Sequence, residues 1–227
     1  MISYFISLLY PTYCEGCGRT LVRGEECLCL YCLENLPRTD FHHYKDNPVE
    51  MVFAGQSPVF RATAFCFFNK GNIMQKLIHQ LKYKDNKAIG FYLGHQFGLE
   101  LAKIEAFQSI DLIIPVPLHP KKFRQRGYNQ SECIGKGISE TLSKPMDTSS
   151  IIRVTPTSTQ TKKARYQRWE NVSGIFQLTD PNALTGKHIL LVDDVITTGA
   201  TIEAAARLLL TLPWVKVSVA CLAYAGN

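Results

Sequence analysis

Within KHILLVDDV, residues 187–195, a continuous apolar run ends in two adjacent acids, Asp193 and Asp194. A strand that is apolar on both faces has no solvent side, as in a parallel sheet covered by helices above and below. The chain then turns through small and hydroxylated residues into TIEAAARLLLTL (201–212), which carries a helical pattern. The remainder alternates in the same way. PVFRATAFCFF (58–68) reads as a strand. IMQKLIHQLKY (73–83) reads as a helix with Ile73, Leu77, Ile78 and Leu81 on one face, and residues 89–104 as a second with Leu93, Phe97, Leu101 and Ile104 together. IDLIIPVP (110–117) reads as a buried strand stopped by prolines. A helix near 129–142, a short strand at 150–154 and a last strand, VKVSVACLAY (215–224), complete the pattern. Strands alternating with helices predict an α/β fold, a parallel sheet with right-handed crossovers. Ligands of such folds bind beyond the carboxyl ends of the strands, where VDDVITTGAT (192–201) stands.

A length of 227 residues suits one domain with a small appendage, and 46% hydrophobic against 19% charged residues excludes an intrinsically disordered chain. No run approaches the roughly 18 apolar residues of a membrane span. The opening MISYFISLLY has no basic flank and no small-residue cleavage site, so it reads as a short packed helix rather than a signal peptide, in a soluble, cytoplasmic protein.

Five of the eight cysteines fall within residues 14–32, and Cys14-x2-Cys17 is followed after eleven residues by Cys29-x2-Cys32. Two such pairs on knuckle turns set four thiolates at the corners of a tetrahedron, the geometry of structural Zn2+ with no open position for catalysis. The window is too short for a core of its own, so the metal would supply its folding energy. Cys27 is the spare, and an exchange of Cys27 for Cys29 stays open. A disulfide pair is the competing reading, disfavoured without a secretion signal and with Cys66, Cys133 and Cys221 scattered singly.

In VDDVITTGAT the loop amides and the helix start make a phosphate cradle. Thr197, Thr198 and Thr201 add hydroxyls, and Gly199 permits close backbone approach. Asp193 and Asp194 would repel a phosphate that faced them; they suit the hydroxyls of a vicinal diol, or a Mg2+ that binds one. Phosphate at one end and diol at the other describe a ribose 5-phosphate. Neither GxxxxGK[ST] nor GxGxxG is present.

VDDVITTGAT resembles the phosphoribosyl pyrophosphate (PRPP) signature of type I phosphoribosyltransferases. The ordered set of cysteine pairs, LKYK (81–84), PVPLHPKKFRQRGYNQ (115–130), TxxQxxxxxxxRxxN (157–171) and VDDVITTGAT resembles the competence protein F (ComF) family across about residues 10–224. The resemblance implies an amidophosphoribosyltransferase-like parallel sheet flanked by helices over 58–227, an N-terminal helix and four-cysteine zinc finger over 1–40, and a linker over 41–57. It implies that Asp193 and Asp194 hold the ribose hydroxyls and that Thr197, Thr198, Gly199, Ala200 and Thr201 bind the 5-phosphate. The turn at Val116, Pro117 and Leu118 would offer backbone amides to the diphosphate, with Arg126 and Asn129 close behind. Gln160, Arg165, Arg168 and Asn171 would approach the leaving group from a mobile loop. Arg165 and Arg168 join the two aspartates as candidate catalytic residues, with Mg2+ carried by PRPP. Lys82 and Lys84 reach either the diphosphate or a helix end.

The net charge of +6 is concentrated in 119–136 and 153–170, which suits a polyanion. Three readings follow: phosphoribosyl transfer to an unassigned acceptor, a PRPP sensor with little turnover, or a DNA-uptake factor binding single-stranded DNA or uptake proteins. Phe123, Tyr128, Tyr166 and Trp169 either stack bases or pack their own loops. Oligomeric state is not legible, and among the histidines only His119, beside the turn at 116–118, is a candidate for the site.

Overall fold

The computed structural model describes residues 11–154 and 174–226. Its centre is a four-stranded parallel sheet in the order β1 (Arg61–Phe67), β6 (Lys216–Tyr224), β5 (His188–Ile196), β2 (Leu112–Pro115). The register sets Pro115 opposite Val192 and Asp193 opposite Cys221, so β5 runs on past the end of β2 and its two acids emerge beside that edge. Alternate residues of β5 enter two cores. Leu190 and Val192 face one, and Ile189 and Leu191 the other, which is why the strand is apolar at successive positions.

On the first face lie α3 (Ile73–Tyr83), α4 (Lys87–Leu101) and α7 (Gln130–Leu142). Asn72 caps α3 by accepting from the Gln75 N–H at 3.0 Å, and Met74, Leu77 and Leu81 are fully buried. Burial of such side chains is worth about 1.5–3 kcal/mol each. α4 and α7 cross so closely that a Cβ on Gly94 would lie 2.2 Å from the Ile134 carbonyl oxygen. The helix expected to reach Ile104 stops at Leu101, because Ile104 leaves it to begin the short α5 (Glu105–Gln108). The second face carries α8 (Ala200–Leu209) and α2 (Pro48–Met51). A separate antiparallel pair, β3 (Ile151–Arg153) with β4 (Phe176–Leu178), brackets residues 155–173; β4 left no mark in the sequence pattern.

The cysteine window does not stand apart. Cys14, Cys29, Cys32, Leu28 and Leu36 share one core with Phe65, Met74 and Leu77, and the short α1 (Leu30–Glu34) is capped by the Cys29 sulfur accepting from the Cys32 N–H. Residues 41–57, expected as a linker, are packed: Asn47 caps α2 and donates its Nδ2 to the Ala62 carbonyl at 2.9 Å, and Val49 and Phe53 are buried. The expected N-terminal helix lies outside the described residues. Among the described residues no helix is long and apolar enough to cross a membrane.

Candidate functional site

The two acids stand half-buried at the end of β5. Asp193 Oδ1 accepts from the Ser131 hydroxyl at 2.8 Å and from the Asp194 N–H at 2.8 Å. Burial pushes the Asp193 carboxyl above the usual range and the Asp194 carboxylate adds to it, while those two donors and the charge of Lys82 oppose the rise. Lys82, in the last turn of α3, places its Nζ 2.9 Å from Asp194 Oδ1. The lysine is therefore the partner of an acid rather than a helix-end charge or a free arm for diphosphate. As partners of the acids, neither Lys82 nor Ser131 stood out in the sequence. Ser131 follows directly on the GYNQ segment at the start of α7, the one local sign it gives.

Beyond β5 the chain turns at Gly199, whose φ of 71° lies in the left-handed region, and α8 begins. The first helical bond runs from the Glu203 N–H to the Gly199 carbonyl, and no side chain caps the helix. The preceding N–H groups of the turn are thus left for water or an anion. Asp193, Thr197, Thr198, Gly199, Ala200 and Thr201 line one small cavity of about 70 Å³. This brings Thr197, Thr198, Gly199, Ala200 and Thr201 together with one of the two acids.

The expected diphosphate turn is more committed than its sequence implied. The Val116 N–H already donates to the Val192 carbonyl at 2.9 Å, and Pro117 has no N–H. Of the three, only Leu118 keeps an amide free to meet an anion among the described residues. Asn129 is buried and spends both ends of its amide on the fold, donating to the Val116 carbonyl at 3.0 Å and accepting from the Ser131 N–H at 3.1 Å. It holds the turn in place instead of facing a ligand. Arg126 donates to Gln130 Oε1 at 2.7 Å and lies over the Tyr83 ring. His119 accepts from the Lys121 N–H and so caps α6 (Pro120–Arg126). Tyr128 is buried with its hydroxyl donating to the Leu81 carbonyl, so it packs its loop, whereas Phe123 is exposed on α6 beside Lys121, Lys122 and Arg124. Gln160, Arg165, Arg168, Asn171, Tyr166 and Trp169 lie outside the described residues.

In the N-terminal module the sulfurs of Cys14, Cys17, Cys29 and Cys32 all lie within 4.8 Å of one another, with 3.8 Å between Cys17 and Cys29. Tetrahedral Zn–S bonds of about 2.3 Å imply sulfurs about 3.8 Å apart, so the four could hold zinc. All eight cysteines are free thiols. Cys27 stays out of the cluster. Burial pushes its thiol up to about 12, and its carbonyl instead accepts from the Glu15 N–H at 3.0 Å, which favours Cys29 in the open choice.

Sheet, acid pair and uncapped loop together define a domain of the phosphoribosyl transferase class, and the model of that domain matches residues 130–227. The DNA utilization protein YhgH of Escherichia coli strain K12 is 31% identical over 212 residues, 92% of this chain and 88% of that protein. Competence protein F of Haemophilus influenzae is 35% identical over 147 residues, 63% of this chain and 64% of that protein. The chain belongs to the family of these proteins. Among solved structures, an adenine phosphoribosyltransferase overlaps at 22% identity with a TM-score of 0.39, over 61% of this chain and 71% of that one. That overlap is partial, and the family assignment stands on the sequence relatives.

Proposed function

We propose that the chain binds PRPP with Mg2+ at the carboxyl end of β5 and transfers its phosphoribosyl group to an acceptor. The observation that supports this reading is the single cavity in which Asp193 meets the uncapped start of α8. Asp193 and Asp194 would accept hydrogen bonds from the ribose hydroxyls. The hydroxyls of Thr197, Thr198 and Thr201 and the N–H groups of Gly199 and Ala200 would take the 5-phosphate. The Leu118 N–H would meet the diphosphate, and Gln160, Arg165, Arg168 and Asn171 would close over it. In the transfer, the C1–oxygen bond breaks with its electron pair leaving on diphosphate, and an acceptor lone pair forms the new bond to C1. Fixed donors aimed at the leaving group stabilise the charge that develops there. The adjacent carboxylates are hard oxygen donors of the kind Mg2+ takes, and the bound ion would neutralise the departing diphosphate. On this reading Zn2+ on Cys14, Cys17, Cys29 and Cys32 is structural, and the module over 1–40 serves the domain over 58–227.

The relatives named for DNA utilization and competence support a role in the uptake or handling of DNA. The exposed Lys121, Lys122, Phe123 and Arg124 of α6 favour single-stranded DNA as a second polyanion beside the same site. A sensor with little turnover would keep the PRPP site and lack an acceptor.

Calorimetric titration of the metal-loaded protein with PRPP and Mg2+ tests the reading. Binding in the wild type that is lost in Asp193→Ala/Asp194→Ala is the expected result; folded wild type that binds no PRPP overturns it.

A further inference from the structure

At the other end of the sheet, where β1 and β2 begin, a cavity of about 1,020 Å³ opens between α2, α5 and the approach to β1. It shares no lining residue with the acid pair or the cradle. Its wall contains Arg61, only 8% exposed. Arg61 donates Nε to Glu50 Oε1 at 2.6 Å and Nη2 to the Tyr44 carbonyl at 2.8 Å, but its Nη1 makes no hydrogen bond among the described residues. Ser57, 5% exposed, also lines the cavity, and its Oγ has no partner among the described residues. A guanidinium offers five donors, and buried donors are ordinarily paired. Of the two, the Ser57 Oγ is the buried atom without a partner, and the Arg61 Nη1 is a donor on the same wall that the fold does not use, so an acceptor placed in the cavity could meet both. Around them stand Met51, Phe53, Phe60, Ile104 and Ala106, with Met51 and Phe60 exposed although both are large and apolar.

We propose that this cavity is a second small-molecule site, for a monocarboxylate carried on an apolar body. The carboxylate would accept from Arg61 Nη1 and the Ser57 hydroxyl, a charge-assisted contact, while the body covers Met51, Phe60 and Ile104. Glu50 does not compete for that place: its Oε1 accepts from Arg61 and the Ala62 N–H, its Oε2 from the Asp46 N–H. Asp46 and Glu105 on the rim, against Lys45, set the site against polyanions such as nucleic acid or diphosphate. The site is independent of the PRPP reading.

The test is calorimetry on the full chain with 3-phenylpropionate as the probe. Affinity between high micromolar and millimolar is expected for a ligand of that size. Ser57→Ala should weaken binding several-fold. Ala106→Phe, which sets a ring into the cavity without removing a hydrogen bond, should weaken binding several-fold at an unchanged melting temperature. Asp193→Ala/Asp194→Ala should bind the probe as the wild type does. Absence of binding to folded wild type overturns the proposal, as does undiminished binding to Ala106→Phe. Equal binding of the neutral amide, 3-phenylpropanamide, or displacement by pyrophosphate, would do the same.

Discussion

Lys82 and Asp194 are 112 positions apart in the chain, yet the lysine Nζ lies 2.9 Å from the aspartate Oδ1. Both side chains are largely buried, so removing the lysine takes the ion-pair partner from Asp194 and leaves Arg153 as the cation that Asp193 still feels among the described residues. Lys82→Met should cost about 1–2 kcal/mol, between an exposed pair and a fully buried one because both groups keep some contact with water. In a chain of this size that lowers the melting temperature by several degrees, and Mg2+ should restore part of it. In a double-mutant cycle with Asp194→Asn, additive losses would show that the pair is not coupled.

Ser131 should act through Asp193 rather than on a ligand. Ser131→Ala removes a hydroxyl donor from a half-buried carboxylate, an interaction worth about 1.5–3 kcal/mol. PRPP affinity measured by calorimetry should fall about tenfold or more, with Ser131→Thr recovering most of it. Unchanged affinity in Ser131→Ala would remove the serine from the site.

Gly199 is required twice over, by its φ of 71° and by its neighbour: a Cβ there would lie 2.3 Å from Val52 Cγ1. Gly199→Ala should destabilise the protein by about 2–3 kcal/mol in chemical denaturation. Adding Val52→Ala should return the part that is collision, leaving the backbone part.

The cysteines divide cleanly. Cys29→Ser should lose bound zinc by metal analysis, whereas Cys27→Ser should keep it. Equal metal content in the two variants would show that the cluster tolerates exchange.

His188 is buried between the Ser109 and Ser218 hydroxyls, each at 2.9 Å, and burial holds its pKa below the ordinary 6.5. The unfolded chain therefore binds a proton at a pH where the folded chain does not, so stability contributed by His188 falls as pH drops below about 6.5. His42 is lowered in the same direction, mainly by burial. Denaturation midpoints between about pH 7 and pH 5 should decline less steeply in His188→Gln than in the wild type.

Strands, helices and the acid-to-threonine loop were legible because each is a local pattern. Leu190, Val192 and the two acids lie in one apolar run, and Cys14, Cys17, Cys29 and Cys32 announce themselves by spacing. Local pattern cannot show how hydrogen bonds are spent. Asn129 and Val116 look poised for an anion by position, and only the packed structure shows that the asparagine amide and the Val116 N–H are consumed by the turn itself. Lys82 and Ser131 were hidden for the complementary reason: what joins them to the acids is the seating of α3 and α7 on the sheet. The same holds for residues 41–57, whose polar composition reads as a connection although Asn47, Val49 and Phe53 anchor it to β1 and the second core.

α3 is held at three levels along its length. Lys76 donates to the Gly16 carbonyl and Gln80 to the Glu15 carbonyl, both within the first cysteine knuckle, and near the end of the helix Lys82 meets Asp194. The eleven-residue helix thus meets the cysteine knuckle in its first turn and again at Gln80, two residues before the lysine that meets the acid pair. Distortion of the knuckle would slacken both of its fastenings to the helix and so loosen the counter-charge that stands beside the second.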